Sequence, residues 1–135
     1  MKVIYPAIFH HENNSYWVEF PNLEGCQSFG DTIEETLSNA KEALAAYCVT
    51  LLEQGKKLTI PSNIETIQAP KHAFSSLVEA ELITKSQSIK KTLTIPAWLN
   101  VAAEAKGINF SGTLQNALIH ELDLIEHLDS SDNRI

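Results

Sequence analysis

The chain has only two cysteines among its 135 residues, Cys26 and Cys48, and neither belongs to a CxxC or to a nearby histidine pattern. That excludes a disulfide framework and makes a zinc site improbable, so two reduced thiols in a cytoplasmic protein are expected. No run of 18 apolar residues occurs, and no membrane span is expected. The opening MKVIYPAIFHHENN has one lysine and a short apolar run broken by Pro6, which reads as a strand rather than a signal peptide. No segment is strongly basic, as a broad electrostatic footprint for nucleic acid would require. Glycine-rich phosphate loops, HExxH and serine-triad signatures are missing, and so are internal repeats.

What is present is enough apolar material for a core, 44% of residues, in a length that allows one domain or two small ones. The net charge is −7, and the first 70 residues carry nine acids against four bases. An acidic first half suits a basic protein partner. The same charge also keeps a protein soluble.

Residues 16 to 55 organise the first half. Tyr16 to Phe20 is apolar and extended, a loop with Gly25 and Gly30 follows, and Asp31 or Thr32 opens a long helix. Its apolar residues are Ile33, Leu37, Ala40, Ala43, Leu44, Tyr47, Cys48, Leu51 and Leu52, at spacings that line one face. Thr32 followed by Glu35 is a capping-box pattern, and Gly55 stands where a helix stops. Val3 to Phe9 is a strand in which Pro6 argues for a sheet edge or an irregular end. HHENNS then turns the chain into Tyr16 to Phe20, making a hairpin. Cys26 to Phe29 is a short third strand. Leu58 to Ile60 and Ile64 to Ile67 flank a turn, the second as a further strand. The fold class is α+β, a small antiparallel sheet packed on one long helix.

The segment YPAIFHHENNSYWVEFPNLEGCQSFGDTIEETLSNAKEALAAYCVTLLEQGKKLTIPS resembles the N-terminal domain of the HicB family of antitoxins. The YPAIF strand, the YWVEFPNLEGC segment and the helix start GDTIEETL carry the likeness, in this order and spacing. The resemblance implies a partial ribonuclease-H-like fold that binds and blocks a small mRNA-cleaving toxin, HicA, and is not itself a nuclease. The residues agree, because metal-dependent cleavage needs convergent carboxylates. The first strand has no acid, and Glu34 and Glu35 are adjacent on a helix and cannot both face one site. His10 and His11 read as solvated turn residues rather than acid–base groups.

Phe74 to Leu82 fits a helix by composition. The resemblance instead makes it a strand returning to the sheet, and a strand is expected. Residues 83–88 read as a hinge between a first domain, 1–82, and a second, 89–128. Residues 129–135 read as a polar tail.

In the second domain IKKTLTI alternates. Ile89, Leu93 and Ile95 share one face, and Lys90, Thr92 and Thr94 the other. Pro96 starts a helix to about Lys106, with Trp98 packed between helix and strand. Ser111 is expected to cap a second helix from about Gly112 to beyond Leu122, with Leu114, Ala117, Leu118, Leu122 and Ile125 as its stripe. A strand with no mate and two short helices cannot form a core alone, so the same strand of a second chain is expected to pair with it. The resulting ribbon would present Lys90, Thr92 and Thr94 twice to a major groove. Ser111 and the amides of Gly112 and Thr113 would hold a phosphate. KKTLTIP followed by AWLNVAAEAKGINFSGTLQNAL resembles the ribbon-helix-helix DNA-binding domain that ends many HicB antitoxins. The strand role falls on Lys90, Thr92 and Thr94 and the phosphate clamp on Ser111, Gly112 and Thr113. Ile89, Leu93, Ile95, Trp98, Leu114 and Leu118 are expected at the dimer interface. Gly112, in place of a bulkier residue, departs from the family pattern.

Together these readings imply a non-enzymatic antitoxin without cofactor or metal. It would form a homodimer or higher even oligomer, capture a HicA-like toxin and bind operator DNA. The alternative is an orphan transcriptional regulator without a toxin.

Overall fold

The computed structural model describes residues 1–82 and 88–127. It divides into two compact units, one gathering residues 1–82 and 124–127, the other 88–123. Residues 83–87 of the expected hinge and the expected tail lie outside the described residues.

The first unit is a four-stranded antiparallel sheet with one long helix on one face. Its strands are β1 (Lys2–Glu12), β2 (Ser15–Glu19), β3 (Gln27–Gly30) and β4 (Ala73–Glu81), in the order β3-β2-β1-β4. The hairpin of β1 and β2 turns on two residues only, Asn13 (φ 51°) and Asn14 (φ 62°). Asparagine tolerates the left-handed region, and two such residues in succession match the twist of the flanking strands. The turn is therefore shorter than HHENNS, and His10, His11 and Glu12 pair with Trp17, Tyr16 and Ser15. β1 is interior rather than an edge. Pro6 is accommodated because β2 pairs with β1 only from Ile8 onward, leaving that flank of Pro6 outside the ladder.

Helix α1 (Ile33–Glu53) starts as the capping pattern predicts. Thr32 Oγ1 accepts from Glu35 N at 3.1 Å, and the Glu35 carboxylate reaches back to Asp31 N at 3.2 Å. Gly30 is required by proximity. A Cβ there would stand 2.7 Å from the Thr36 backbone nitrogen, so β3 can lead into α1 only through glycine. The core lies between α1 and the inner sheet face, where Val3, Tyr5, Ala7, Phe9, Val18, Val78 and Ala80 meet Ala40, Leu44, Ala45 and Cys48. Leu37, expected on the buried stripe, is exposed. β4 is a strand, with Val78 and Ala80 facing inward as its alternation requires. Ile64–Thr66 is a 3-10 turn rather than a strand, because Asn63 caps it by accepting from Glu65 N.

The first unit is completed from far along the sequence. Leu58, fully buried, donates to Leu124 O at 2.7 Å and accepts from Glu126 N at 2.8 Å, a short parallel bridge centred on Ile125.

In the second unit, helix α2 (Ala97–Lys106) begins after Pro96 and ends at Gly107, whose φ of 72° is the left-handed stop glycine permits. Helix α3 spans Phe110–Glu121. The N-cap is Asn109, not Ser111. The helix also stops before Leu122, so Ile125 belongs to the first unit instead of the helical stripe.

Candidate functional site

Two surfaces are available for binding, one on each unit. On the first, alternation along β1 sends the odd positions from Val3 to Phe9 toward α1 and the even ones to the opposite face, where Pro6 and Ile8 are nonetheless buried. Register then sets Lys2 opposite Glu81, Ile4 opposite Glu79 and Pro6 opposite Leu77 across β4. On the other flank it sets Ile8 opposite Glu19, and His10 opposite Trp17, which is in turn opposite Phe29. Among the described residues of the first unit, no helix covers this outer face. Leu77 is 52% exposed and Phe29 75%. The His10 ring stacks on Trp17 with centroids 3.8 Å apart, and its Nε2 lies 3.2 Å from Glu19 Oε2. His11 stacks on Tyr16. The two histidines are thus members of the ladder rather than of the turn, His10 half-buried and His11 exposed as expected. Their type and position are visible in the sequence, but their partners are fixed only by register. Glu79 pairs with Lys2, and Glu81 with the N-terminal ammonium.

The inner face offers no chemistry. Burial pushes the Cys26 thiol up to about 12, helped by neighbouring Cys48, and pushes Cys48 up to about 11. The Tyr5 hydroxyl, donating to Thr59 O, rises to about 12 through burial and then the nearby Cys48 and Glu126. Protonated thiols are poor nucleophiles and poor metal ligands. Among the described residues no three His, Cys, Asp or Glu side chains converge to hold a metal.

The second surface is the whole of residues 88–123, where no residue is buried. Ile89 is 83% exposed, Trp98 72% and Leu118 51%. Leu93 and Ile95 are also exposed, and Leu114 is half-buried. Residues 88–96 form no strand within the single chain, so Lys90, Thr92 and Thr94 stand exposed along an unpaired segment. The expected phosphate clamp is altered by Asn109. Its Oδ1 accepts from Gly112 N at 3.0 Å and its carbonyl from Thr113 N at 2.9 Å, so neither amide is free. Ser111 Oγ accepts from the Gln115 amide at 3.1 Å. Ser111, an equally good capping residue two positions on, masks the Asn109 cap in the sequence.

No helix among the described residues is long and apolar enough to cross a membrane.

Residues 5–125 match the family model of the HicB_like antitoxin of bacterial toxin-antitoxin system. A 14.9 kDa protein in the rep-hol intergenic region of Haemophilus phage HP1 is 32% identical over 101 residues, covering 72% of this chain and 76% of that one. A toxin-antitoxin complex from Streptococcus pneumoniae contains a chain 28% identical. It superposes with a TM-score of 0.60 over 90% of this chain and 100% of that one. The HicA3 and HicB3 toxin-antitoxin complex contains another, 26% identical with a TM-score of 0.50, over 58% of this chain and 99% of that one.

Proposed function

The chain belongs to the HicB_like antitoxins of bacterial toxin-antitoxin systems, and from that premise we propose that it neutralises a HicA-like mRNA-cleaving toxin and represses its own operon. An antitoxin of this family binds and does not turn over substrate, and the chain is not an enzyme. Toxin capture falls to the first unit, read as a partial ribonuclease-H-like domain over residues 1–82. Operator binding falls to a ribbon-helix-helix domain, expected over residues 89–128 and here confined to residues before Leu124, since 124–127 complete the first unit. The observation that carries this division is the contrast in burial. The first unit closes a core of its own, whereas the second has no buried residue and a strand segment with no mate.

Pairing of two chains through residues 89–95 would bury Ile89, Leu93, Ile95 and Trp98 and set Lys90, Thr92 and Thr94 on the outside of a two-stranded ribbon. These three are the proposed base readers. Ser111, Gly112 and Thr113 remain the proposed phosphate contacts, on the condition that Asn109 releases the two amides it holds. The toxin is inhibited stoichiometrically, by being covered.

A gel-shift titration of the full chain on DNA upstream of its own gene tests operator binding, against a scrambled duplex and at two salt concentrations. Selective, salt-sensitive shifts are expected, lost on Lys90→Ala with Thr92→Ala. Co-expression with the adjoining toxin gene tests neutralisation: growth is expected to be rescued by the chain. Failure of both would remove the reading.

A further inference from the structure

The outer sheet face carries one composite feature that the fold does not need. His10, Trp17 and Phe29 form a row across β1, β2 and β3. The neighbouring rows hold Glu12 with Ser15 on one side and Ile8, Glu19 and Gln27 on the other. An aromatic row is therefore bracketed by two carboxylates. The core lies on the opposite face, so none of these rings is held there by core packing. Phe29 sits on the edge strand with most of its ring in water. The imidazole of His10, stacked on Trp17 and bonded to Glu19, holds that indole and carboxylate in a fixed relation.

We propose that this row is the docking site for a basic protein surface, with arginine or lysine side chains laid over Trp17 and Phe29 and paired to Glu12 and Glu19. The assignment rests on the antitoxin reading above and names the part of the first unit that meets the toxin. Aromatic faces attract cations, and adjacent carboxylates fix a guanidinium in place. The same carboxylates disfavour the other occupants. An RNA strand could stack its bases on such a row, but Glu12, Glu19 and a net charge of −7 repel its phosphates. A second copy docked face to face would set Glu12 and Glu19 against their own equivalents, a like-charge contact that costs affinity. A basic protein gains from both the rings and the charge.

The test uses the full chain and the purified product of the adjoining toxin gene. Glu12→Lys combined with Phe29→Ala is expected to weaken binding by about 100-fold and to flatten its salt dependence. Glu24→Lys makes an equal charge change in the loop before β3 and is expected to shift affinity by less than about threefold. Hydrogen exchange on the unmodified complex gives a second reading that needs no variant, with protection expected at residues 15–19 and 27–30. If wild type binds toxin, the double variant binds equally well and the row gains no protection, this assignment falls while the antitoxin reading stands. If wild type binds no toxin, the antitoxin reading fails, and this one with it. Quenching of Trp17 by a short single-stranded RNA in a Trp98→Phe background, or self-association abolished by the double variant, would overturn the basic-protein assignment in favour of those occupants.

Discussion

Three acidic protons are held in the core of the first unit. The thiols of Cys26 and Cys48, at 9.0 when free, rise to about 12 and about 11, and the Tyr5 hydroxyl rises from 10.0 to about 12. Each raised value means that the folded chain keeps a proton the unfolded chain gives up. The stabilisation is complete below pH 9 and declines as pH climbs from 9 toward 11 and 12, by roughly 1.4 kcal/mol per pH unit for each group ionised only when unfolded. Urea midpoints should therefore be flat from pH 7 to 8.5 and fall steeply by pH 10.5. Iodoacetamide at pH 8 should label neither thiol in the folded chain and both in urea. Little of this was legible beforehand. The sequence shows two reduced cysteines, but only the fold brings them together under the sheet beside Tyr5.

Among the elements, α1, α2 and the hairpin strands were readable from periodicity and caps, whereas β4 has a helical composition and was expected as a strand only from the family resemblance. Thr32 and Glu35 cap α1, and Pro96 and Gly107 bracket α2 as their chemistry requires. Turns were read less well. HHENNS looked like one polar loop, yet only its two asparagines leave the ladder, because the pairing of His10 and His11 with Trp17 and Tyr16 outweighs their polarity. Ile125 continues a helical spacing and still leaves the helix, drawn off by backbone bonds to Leu58 that no local pattern announces. The turn yields a prediction. Alanine at Asn13 and Asn14 places a Cβ in the left-handed region, at roughly 1–2 kcal/mol per residue. The double substitution should lower the thermal midpoint by several degrees, and Asn14→Gly should hold or raise it, both followed by circular dichroism.

At the level of the whole molecule, apolar groups are distributed unevenly: the first unit buries a core and leaves a few such as Phe29 and Leu77 exposed, whereas the second buries none. A chain with so much exposed in residues 88–123 should not be monomeric at micromolar concentration. Sedimentation equilibrium is expected to give a dimer or a higher even oligomer, and Leu93→Lys should shift it toward monomer without altering the near-ultraviolet signal of the first unit. The proposed binding surfaces were legible in part. Residue types at Lys90, Thr92 and Thr94 suggest a reader, but the row of His10, Trp17 and Phe29 exists only once three strands are in register. The bridge between Leu58 and residues 124–126 also orders events during synthesis. A nascent chain stopped anywhere before Leu124 leaves the buried amide and carbonyl of Leu58 without these partners, so the first unit, begun earliest, is finished last. Every ribosome that translates this message must therefore deliver the entire second unit before the first one is whole.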